Sequence, residues 1–435
     1  MPRLATMAST SSAPRHAFVW AWLPGGAEPV LAGQVRERRA PAGRSGTTTA
    51  SYEFAYSQTY LARPDAISLF LPEVPLKNGW IDPPDGMSMA GCLRDGSPDS
   101  WGQRVIIDRL TGKRGQDADA VLLDELTYLL ESGSNRIGGL DFQASSSTYV
   151  PRMKTATLDE LHQAANALQA GTMTPELAAA LADGTAVGGA RPKVLVTQGA
   201  TEYIAKLSTS TDRYPVVRAE AAGLGLARRV GIPVPAFEVT RSLDRDVLLV
   251  ERFDRPGAGE RLMVLSALTI LGFSDFLGAR WSSYPEFLDA LRKYGPSGEG
   301  LGKAVYERIV LNILIGNTDD HARNHAAFWD GECLQITPAY DLCPQLRAGS
   351  EASQAMDIGR APNPATPGDR RSNRSTCVAA AREYNLSPQE AAAIFDAQVE
   401  TIRASWSEVA DDARLTRREA EALLGRQILN PYALT

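Results

Sequence analysis

Two carboxylates and an amide in the second half of the sequence have the types and spacing that phosphoryl transfer requires. Asp319 and Asn324 are five residues apart, which is the interval between the base and the magnesium-binding asparagine of protein-kinase catalytic loops. Asp341 follows in a Tyr-Asp-Leu sequence, where a kinase has Asp-Phe-Gly. Magnesium needs few protein oxygens besides phosphate oxygens, so Asn324 and Asp341 suffice as its ligands. Asp319 is then free to accept the proton of an incoming hydroxyl, and the pattern favours a kinase.

The elements around these residues predict how they are brought together. An apolar pattern with helical spacing ends at Gly316, the residue type that most easily ends a helix. A loop must follow, and after it come two short apolar segments joined by Asp-Gly at 330–331, which predicts a tight hairpin. Because a hairpin returns the chain to the edge where it started, Asp341 is expected beside Asn324.

Other interpretations of the same residues stay open at this point. A loop rich in Asp and Asn after a helix is in general a solvated turn. His321 and His325 are four apart, as metal ligands on one helix face would be, but no Glu follows His321 and the hairpin pattern makes His325 a strand residue. Asp320 is predicted to face solvent. The joint order of helix end, loop, hairpin and returning Asp341 favours the phosphoryl-transfer site.

A lysine in an apolar strand pattern is a further candidate for the site. The chain has seven lysines among its 45 basic residues, and Lys206 alternates with apolar residues. If this lysine points inward it needs a counter-charge, which phosphates or a carboxylate would supply. Glu220 lies on the apolar face of the helix that Pro215 opens, and we hypothesise a Lys206–Glu220 ion pair. A surface-exposed Glu220 fits the spacing equally well.

Small residues ahead of a strand offer a phosphate-binding loop. Gly188, Gly189 and Ala190 precede the strand pattern Val194–Thr197, and they would let backbone N–H groups approach phosphate oxygens. Most glycine pairs before strands are plain turns, so this signal is weak by itself. The apolar strand pattern Val247–Val250 would by itself be ordinary core.

Several segments, taken in order, resemble the HipA family of bacterial serine/threonine kinases, the toxin components of type II toxin–antitoxin modules. The resemblance runs from about His16 to the C-terminus, and it is most specific in NTDDHARN and TPAYDL, which resemble the catalytic and metal loops. In the N-terminal part, a Pro-Asp-x-Trp-Gly turn is similar to one that opens a helix in the family. The other matching segments are Gly91–Arg104 (GCLRDGSPDSWGQR), Asn135–Phe142 (NRIGGLDF), Gly188–Lys193 (GGARPK), Tyr203–Leu207 (YIAKL) and Val250–Arg255 (VERFDR).

This resemblance implies a kinase that uses ATP and Mg²⁺ and acts on a serine or threonine of a protein. It assigns catalysis to Asp319, magnesium to Asn324 and Asp341, and contact with the nucleotide phosphates to Lys206. It also implies a phosphate loop, an adenine hinge that uses its backbone, and a histidine near the phosphates. The cofactor-binding residues are then Gly188, Gly189, Ala190, Arg191, Pro192, Lys193, Lys206, Glu251, Arg252, Phe253, His321 and Asn324.

The resemblance further implies partners for the chain. These are a helix-turn-helix antitoxin, operator DNA only indirectly through that antitoxin, and a protein substrate, for which an aminoacyl-tRNA synthetase is a candidate. The family phosphorylates one of its own serines just ahead of the glycine loop, but Ala186 stands at the matching position here. That departure puts serine autophosphorylation in doubt, and Thr185 would replace the serine only if the register slips by one.

Patterns along the chain, together with the resemblance, predict the fold class. We expect an α+β, two-lobed protein-kinase-like fold with an N-terminal β-rich subdomain and a mainly helical C-terminal lobe. The expected boundaries are a disordered tail at 1–16, the N-terminal subdomain at 17–145, a nucleotide-side lobe with the glycine loop at 146–255, and the helical lobe with the catalytic and metal loops at 256–435.

Composition argues against several other classes. A chain of 435 residues with 44% hydrophobic residues can bury a large core, and its apolar runs are too short to span a membrane. A net charge of −6 disfavours nucleic-acid binding by bulk electrostatics. Four cysteines without metal-ligand spacing fit reduced thiols in the cytoplasm. A small-molecule kinase with the same catalytic residues and a non-catalytic, partner-bound corepressor stay open as alternative functions.

Overall fold

The computed structural model describes most of the chain, including the segments that carry the predicted catalytic and metal loops. Residues 1–15 of the predicted N-terminal tail and part of the glycine loop, namely Gly188, Gly189 and Ala190, lie outside the described residues, as do Thr185 and Ala186. His16, which was assigned to the disordered tail, is instead the first residue of a strand. The described residues are 16–39, 50–113, 123–153, 156–174, 177, 181, 191–295, 300–347, 349–361, 363 and 366–435.

An antiparallel sheet with the strand order β3-β2-β1-β4 forms the N-terminal part of the fold. Its strands and the helices near them are β1 His16–Ala21, β2 Val30–Arg39, β3 Ala50–Tyr56, α1 Gln58–Leu61, α2 Gly91–Arg94, α3 Ser100–Thr111, α4 Glu125–Glu131 and β4 Leu140–Gln143. Asp99 caps α3, since its carboxylate accepts a hydrogen bond of 2.8 Å from the Gly102 N–H. The Pro-Asp-x-Trp-Gly turn therefore opens a helix, as predicted.

A second antiparallel sheet, with the order β5-β6-β8-β7, forms the part that was expected to bind the nucleotide. Its elements are α5 Leu158–Ala170, β5 Lys193–Gln198, β6 Thr201–Leu207, α6 Val216–Arg229, β7 Phe237–Ser242 and β8 Arg245–Glu251. Helix α6 packs against β7 and β8 through a buried face that includes Ala219, Ala222 and Leu226. This packing places α6 beside the sheet and fixes which of its residues can reach the strands.

Helices dominate the rest of the chain, around a small sheet with the order β11-β10-β9. The elements are β9 Met263–Ser266, α7 Ala267–Ile270, α8 Asp275–Trp281, α9 Tyr284–Tyr294, α10 Leu301–Ile315, β10 Ala326–Trp329, β11 Leu334–Ile336, α11 Arg374–Ala379, α12 Pro388–Asp412 and α13 Arg417–Leu423, with 3₁₀ turns at Ala322–Asn324, Ala381–Tyr384 and Pro431–Leu434. Helix α10 ends at Gly316, whose φ of 71° is left-handed. The antiparallel pairing of β10 with β11 confirms the predicted hairpin.

Buried contacts join the three sheets into one structure. The long helix α12 packs against both α6 and α10, so a continuous core runs from the nucleotide-side sheet to the helical lobe. The N-terminal part is tied to the rest by the Asp95 carboxylate, which accepts from Ser266 N at 2.8 Å, and by Asp254, which accepts from Gly138 N at 2.7 Å. The predicted α+β, kinase-like architecture is confirmed. None of the described helices is both long and apolar enough to cross a membrane.

Candidate active site

Lys206 lies at the centre of the site, where it joins two carboxylates from distant parts of the chain. Its ammonium group, on β6, contacts Glu220 of α6 and Asp341 of the Tyr-Asp-Leu segment. The predicted Lys206–Glu220 ion pair is therefore present, and Glu220 is buried rather than exposed on the surface. Although burial by itself lowers the pKa of Lys206, the carboxylates of Asp341 and Glu220 raise it above its ordinary value. Lys206 is thus held as a cation.

Asp341 is held ionised and in an unusual backbone conformation. Its φ of 58° is left-handed, which few residues other than glycine adopt without support. Burial by itself would raise the pKa of Asp341, but the ammonium groups of Lys206 and Lys193 outweigh it and lower the pKa well below its usual range. Asn317 supports the loop, since its Nδ2 donates to the Asp341 carbonyl at 3.3 Å. A carboxylate that stays charged in a partly buried site is suited to bind a cation.

Lys193 places a second ammonium group beside the first. It is directly opposite Lys206 in the antiparallel pairing of β5 with β6, and only 7% of its surface is exposed. Burial lowers the pKa of Lys193, and the charge of Lys206 lowers it further. Two neighbouring cations at the end of the glycine loop would attract the phosphates of a nucleotide.

The catalytic loop arranges Asp319 and Asn324 as the sequence spacing suggested. Asn324 is 8% exposed, and its Nδ2 donates to the Asp319 carbonyl at 2.9 Å, which leaves its Oδ1 available to a cation. The Asp319 side chain is exposed. Partial burial nevertheless raises the pKa of Asp319, His321 opposes this rise, and the carboxylates of Asp341 and Asp320 add to it. A raised pKa brings a carboxylate nearer to the value that suits a general base.

His321 lies close enough to Asp319 and Asp341 to lower the pKa of both carboxyl groups. Its charge acts on both Asp319 and Asp341, and its Nδ1 atom is buried without a hydrogen-bond partner in the described part of the chain. His325 lies just before β10 and bonds through Nε2 to Asp320 at 2.9 Å. Among the residues described, no group of three or more His, Cys, Asp and Glu could hold a metal ion. The two histidines flank a 3₁₀ turn at Ala322–Asn324, so they do not share one face of an α-helix, as the histidine-pair metal site would require.

The structure contradicts the prediction that Asp320 faces solvent. It is 1% exposed, and its carboxylate accepts from Tyr284 Oη at 2.5 Å, from Asn312 Nδ2 at 2.8 Å and from His325 Nε2 at 2.9 Å. Asn312 also accepts from Asn317 Nδ2 at 2.9 Å. This network fixes both ends of the catalytic loop. The sequence signal that could have revealed it is Asn312, a polar residue within the apolar helix α10.

Replacing this buried anchor is expected to destabilise the fold. Asp320→Ala would leave three buried donors, on Tyr284, Asn312 and His325, without their acceptor. We expect a loss of about 3 kcal/mol or more in the free energy of unfolding, measured by denaturant titration. The exposed Asp85→Ala variant serves as a control and should stay within about 0.5 kcal/mol of the parent chain. A loss below about 1 kcal/mol for Asp320→Ala would contradict the anchoring role.

The predicted adenine hinge is only partly free to bind a base. The Glu251 N–H donates to the Ala236 carbonyl at 2.8 Å and the Arg252 N–H donates to the Glu202 carbonyl at 2.9 Å. The Phe253 N–H makes no hydrogen bond to the residues that the structure describes, so it is the donor of the three that remains for a ligand. The predicted hydrogen bond from a hinge N–H group to adenine is therefore assigned to Phe253.

The Arg252 side chain is buried and makes its contacts within the fold. It is 3% exposed and donates to Asp254 Oδ1 at 2.9 Å, to Asn135 Oδ1 and to the Arg136 carbonyl. Burial by itself would raise the pKa of Asp254, but Arg252 and Arg255 outweigh it and lower that pKa below its usual range. These contacts tie the hinge to the N-terminal NRIGGLDF segment.

A cluster of three aromatic rings lies next to the hinge. The ring of Phe253 contacts Phe328 of β10 edge-on at 5.8 Å and Tyr340 at 5.7 Å between centroids. Tyr340 Oη donates to the Arg323 carbonyl at 2.9 Å, which links the metal loop to the catalytic loop. Sequence patterns did not single out Phe328 or Tyr340, because aromatic residues in short strands are most often core.

The part of the glycine loop that the structure describes begins at Arg191. Arg191 pairs with Asp212 at 2.8 Å on the surface, and the Pro192 carbonyl accepts from the Leu207 N–H at 3.1 Å. Pro192 thus fixes the entry into β5, which positions Lys193. Gly188 and the other small residues of the loop lie outside the described residues.

Gly223 allows α6 to approach the metal loop closely. A Cβ atom at this position would overlap the carbonyl oxygen of Leu342, the neighbour of Asp341. Gly223→Ala is therefore expected to push this loop away, lower the free energy of unfolding by about 1–3 kcal/mol and weaken nucleotide binding. Thermal unfolding with and without ATP measures both effects. Gly349→Ala, whose Cβ would meet nothing within 4 Å, is the control and should change neither.

The residues present suit magnesium and a nucleoside triphosphate. Asn324 offers an amide oxygen that accepts no hydrogen bond from the described residues, and Asp341 offers a carboxylate that stays ionised. Lys193 and Lys206 place two cations on adjacent strands. Hard oxygen donors are what magnesium prefers, and it commonly takes few of them from the protein. The side chains are therefore those that a nucleotide–magnesium complex requires.

The fold and this arrangement of lysine, glutamate and aspartate define a kinase-like protein. The HipA-like C-terminal domain family matches residues 185–406, just over half of the chain, and the chain belongs to this family. In fold it is similar to the HipA toxin of Shewanella oneidensis MR-1, solved in complex with HipB and operator DNA, with a TM-score of 0.61 and 17% identity over 95% of this chain and 99% of that one.

A relative among curated proteins carries a name that proposes a kinase. It is Y4mE of Sinorhizobium fredii (strain NBRC 101917 / NGR234), which is 24% identical over 174 residues. The matched region is 38% of this chain and spans about two fifths of that relative, 41% of its length.

Proposed function

We propose that this chain is a serine/threonine protein kinase that transfers the γ-phosphoryl group of ATP to a protein hydroxyl, as a HipA-like toxin does. The observation that carries the proposal is the contact of Lys206 with both Glu220 and Asp341. A lysine paired with a helix glutamate, beside a metal-binding aspartate, is the arrangement that kinase phosphoryl transfer uses. Family membership supports the same conclusion.

Each residue of the site then has a role that fits its surroundings. Asp319, exposed to the cleft and with a raised pKa, accepts or orients the proton of the acceptor hydroxyl. Asn324 and Asp341 hold magnesium, which when bound would neutralise charge on the transferred phosphoryl group. Lys206 and Lys193 neutralise the nucleotide phosphates, so catalysis consists mainly of positioning and electrostatic stabilisation.

The proposal includes partners. Because the similar Shewanella structure is a HipA bound to HipB and operator DNA, we expect a helix-turn-helix antitoxin to bind this chain. DNA would then be contacted through that antitoxin. An aminoacyl-tRNA synthetase is a candidate protein substrate in the cytoplasm, and this assignment rests on the family resemblance alone.

Phosphate transfer by the purified chain tests the proposal. The chain is incubated with magnesium, labelled ATP and a whole cytosolic extract as acceptor, and labelled proteins are separated and identified. Asp319→Ala is the inactive comparison and Asp85→Ala the matched surface control. Labelling of one discrete protein on serine or threonine, present with the parent chain and Asp85→Ala and absent with Asp319→Ala, is the expected result.

Two other results would replace the proposed function. Consumption of ATP with a metabolite fraction, without any labelled protein, would indicate a small-molecule kinase with the same catalytic residues. Failure to bind ATP would indicate a non-catalytic, partner-bound corepressor.

A further inference from the structure

A cavity of about 660 Å³ opens at the N-terminal end of α6, away from the proposed catalytic residues. Its walls are the segment after β6, the first turn of α6, the turn between β7 and β8, and α13 with the residues that follow it. The volume lies within the range of small-molecule sites, roughly 300–1,000 Å³. None of the residues that line it belongs to the proposed catalytic or metal-binding set.

Five arginines line this cavity, and four of them have no ion-pair partner among the described residues. Arg218 is neutralised within the wall, where it pairs with Asp246 (Nε–Oδ2, 3.1 Å) and with Glu419 (Nη2–Oε1, 2.6 Å). The others make no ion pair and no side-chain hydrogen bond to the residues that the structure describes. They are Arg213, Arg245, Arg418 and Arg426.

The acidic residues of the wall cancel part of this charge. Asp246 and Glu419 are engaged by Arg218, and Asp212 pairs with Arg191 at 2.8 Å. Of the acidic residues that line the cavity, Asp244 alone has no cationic partner among the described residues. The wall carries five arginines and four carboxylates, and Arg191 from outside the cavity neutralises one of those carboxylates, so a small excess of positive charge remains, which attracts an anion.

The first turn of α6 adds backbone donors to the same cavity. This helix is 14 residues long, and Pro215 at its N-cap offers no side-chain cap. The N–H groups of Val217 and Arg218 make no hydrogen bond to the described part of the chain, so they point out of the first turn as unpaired donors. The positive end of a helix dipole favours the same anion.

A buried polar side chain independently indicates a ligand. Gln427 lines the cavity and is 2% exposed, yet its Oε1 atom is buried without a hydrogen-bond partner in the described residues. A buried polar atom without a partner costs about 1–3 kcal/mol unless a water or a ligand satisfies it. A ligand with a hydroxyl or amino group would satisfy it.

We infer that this cavity binds a small phosphate-bearing anion at a site separate from the nucleotide site. Guanidinium groups bind phosphate oxygens in pairs of parallel hydrogen bonds, and several of them around one cavity suit a ligand with more than one phosphate. The unpaired N–H groups of α6 would hold one phosphate, and Gln427 would accept from the rest of the molecule. This inference stands on the cavity itself and does not depend on the proposed kinase activity.

Calorimetric titration of the full chain tests the inference. The probes are inorganic pyrophosphate, which carries only phosphate chemistry, and uridine 5′-diphosphate, which adds hydroxyl and base donors; magnesium is removed with EDTA. Arg418→Ala and Arg426→Ala remove unpaired cations from exposed positions, so both variants should fold. Arg382→Ala, which removes an exposed arginine elsewhere, is the matched control, and Lys206→Met reports binding at the nucleotide site.

We expect the parent chain and Arg382→Ala to bind pyrophosphate with the same affinity, and each cavity variant to bind about tenfold more weakly. Tighter binding of uridine 5′-diphosphate, lost in Gln427→Leu, would identify the occupant as a nucleotide; equal binding of the two probes would identify it as a simple oligophosphate. Absence of binding to the parent chain, or binding that Lys206→Met abolishes and the cavity variants retain, would overturn the inference. Neither result depends on phosphate transfer.

Discussion

Asp319→Ala should abolish phosphate transfer while it leaves ATP binding nearly unchanged. Asp319 is exposed and has no ion pair among the described residues, so its loss removes the proposed proton acceptor without disturbing the fold or the neighbouring lysines. Loss of a general base typically costs about 10²–10⁴ in rate. Single-turnover transfer measures the rate, and titration with a non-hydrolysable ATP analogue measures the affinity, which should stay within about threefold.

A pH profile separates this catalytic role from a structural one. Because partial burial raises the pKa of Asp319, the ionised form that accepts a proton is lost as the pH falls through that raised value. The transfer rate of the parent chain should therefore decline at a higher pH than an ordinary aspartate would give. The residual rate of Asp319→Ala should lack this decline. Asp85→Ala should keep the parent rate and profile; unchanged turnover in Asp319→Ala would remove Asp319 from the mechanism.

Asp341→Ala should abolish the magnesium dependence of nucleotide binding. The carboxylate is kept ionised by Lys206 and Lys193, and it lies where Lys206 and the catalytic loop meet. Its removal takes away the charged ligand of the proposed magnesium site. We expect a loss of about 100-fold in ATP affinity with magnesium, about 2.7 kcal/mol, and little change in EDTA.

A comparison of ATP affinity with magnesium and with EDTA distinguishes the loss of a metal ligand from a general loosening of the fold. A variant that merely loosens the fold would weaken nucleotide binding equally with magnesium and with EDTA. Asn324→Ala should show the same selective loss at smaller size, because a neutral amide contributes less than a carboxylate. If magnesium strengthens ATP binding to Asp341→Ala as much as it does for the parent chain, Asp341 is not a ligand of the magnesium ion.

Local sequence determined the elements that carry the site. The helix that ends at Gly316, the hairpin at 330–331 and the interval from Asp319 to Asn324 were predictable, because each depends on residues close together in the chain. The sequence predicted the Lys206–Glu220 ion pair only as one of two alternatives, because a surface-exposed Glu220 fitted the spacing equally well. Helical spacing placed Glu220 on an apolar face, but it did not reveal what that face packs against.

Tertiary structure decided what lies inside and which groups are already bonded. Asp320 is buried because Tyr284, 36 residues away, and helix α10 supply its donors, and no local pattern encodes such a distant partner. The hinge N–H groups of Glu251 and Arg252 are taken by neighbouring segments, and Gly223 is required because Leu342 passes beside it. Periodicity reports which face of an element is apolar. Burial, hydrogen bonding and close approach depend on the elements that pack against that face, and only the fold brings those together.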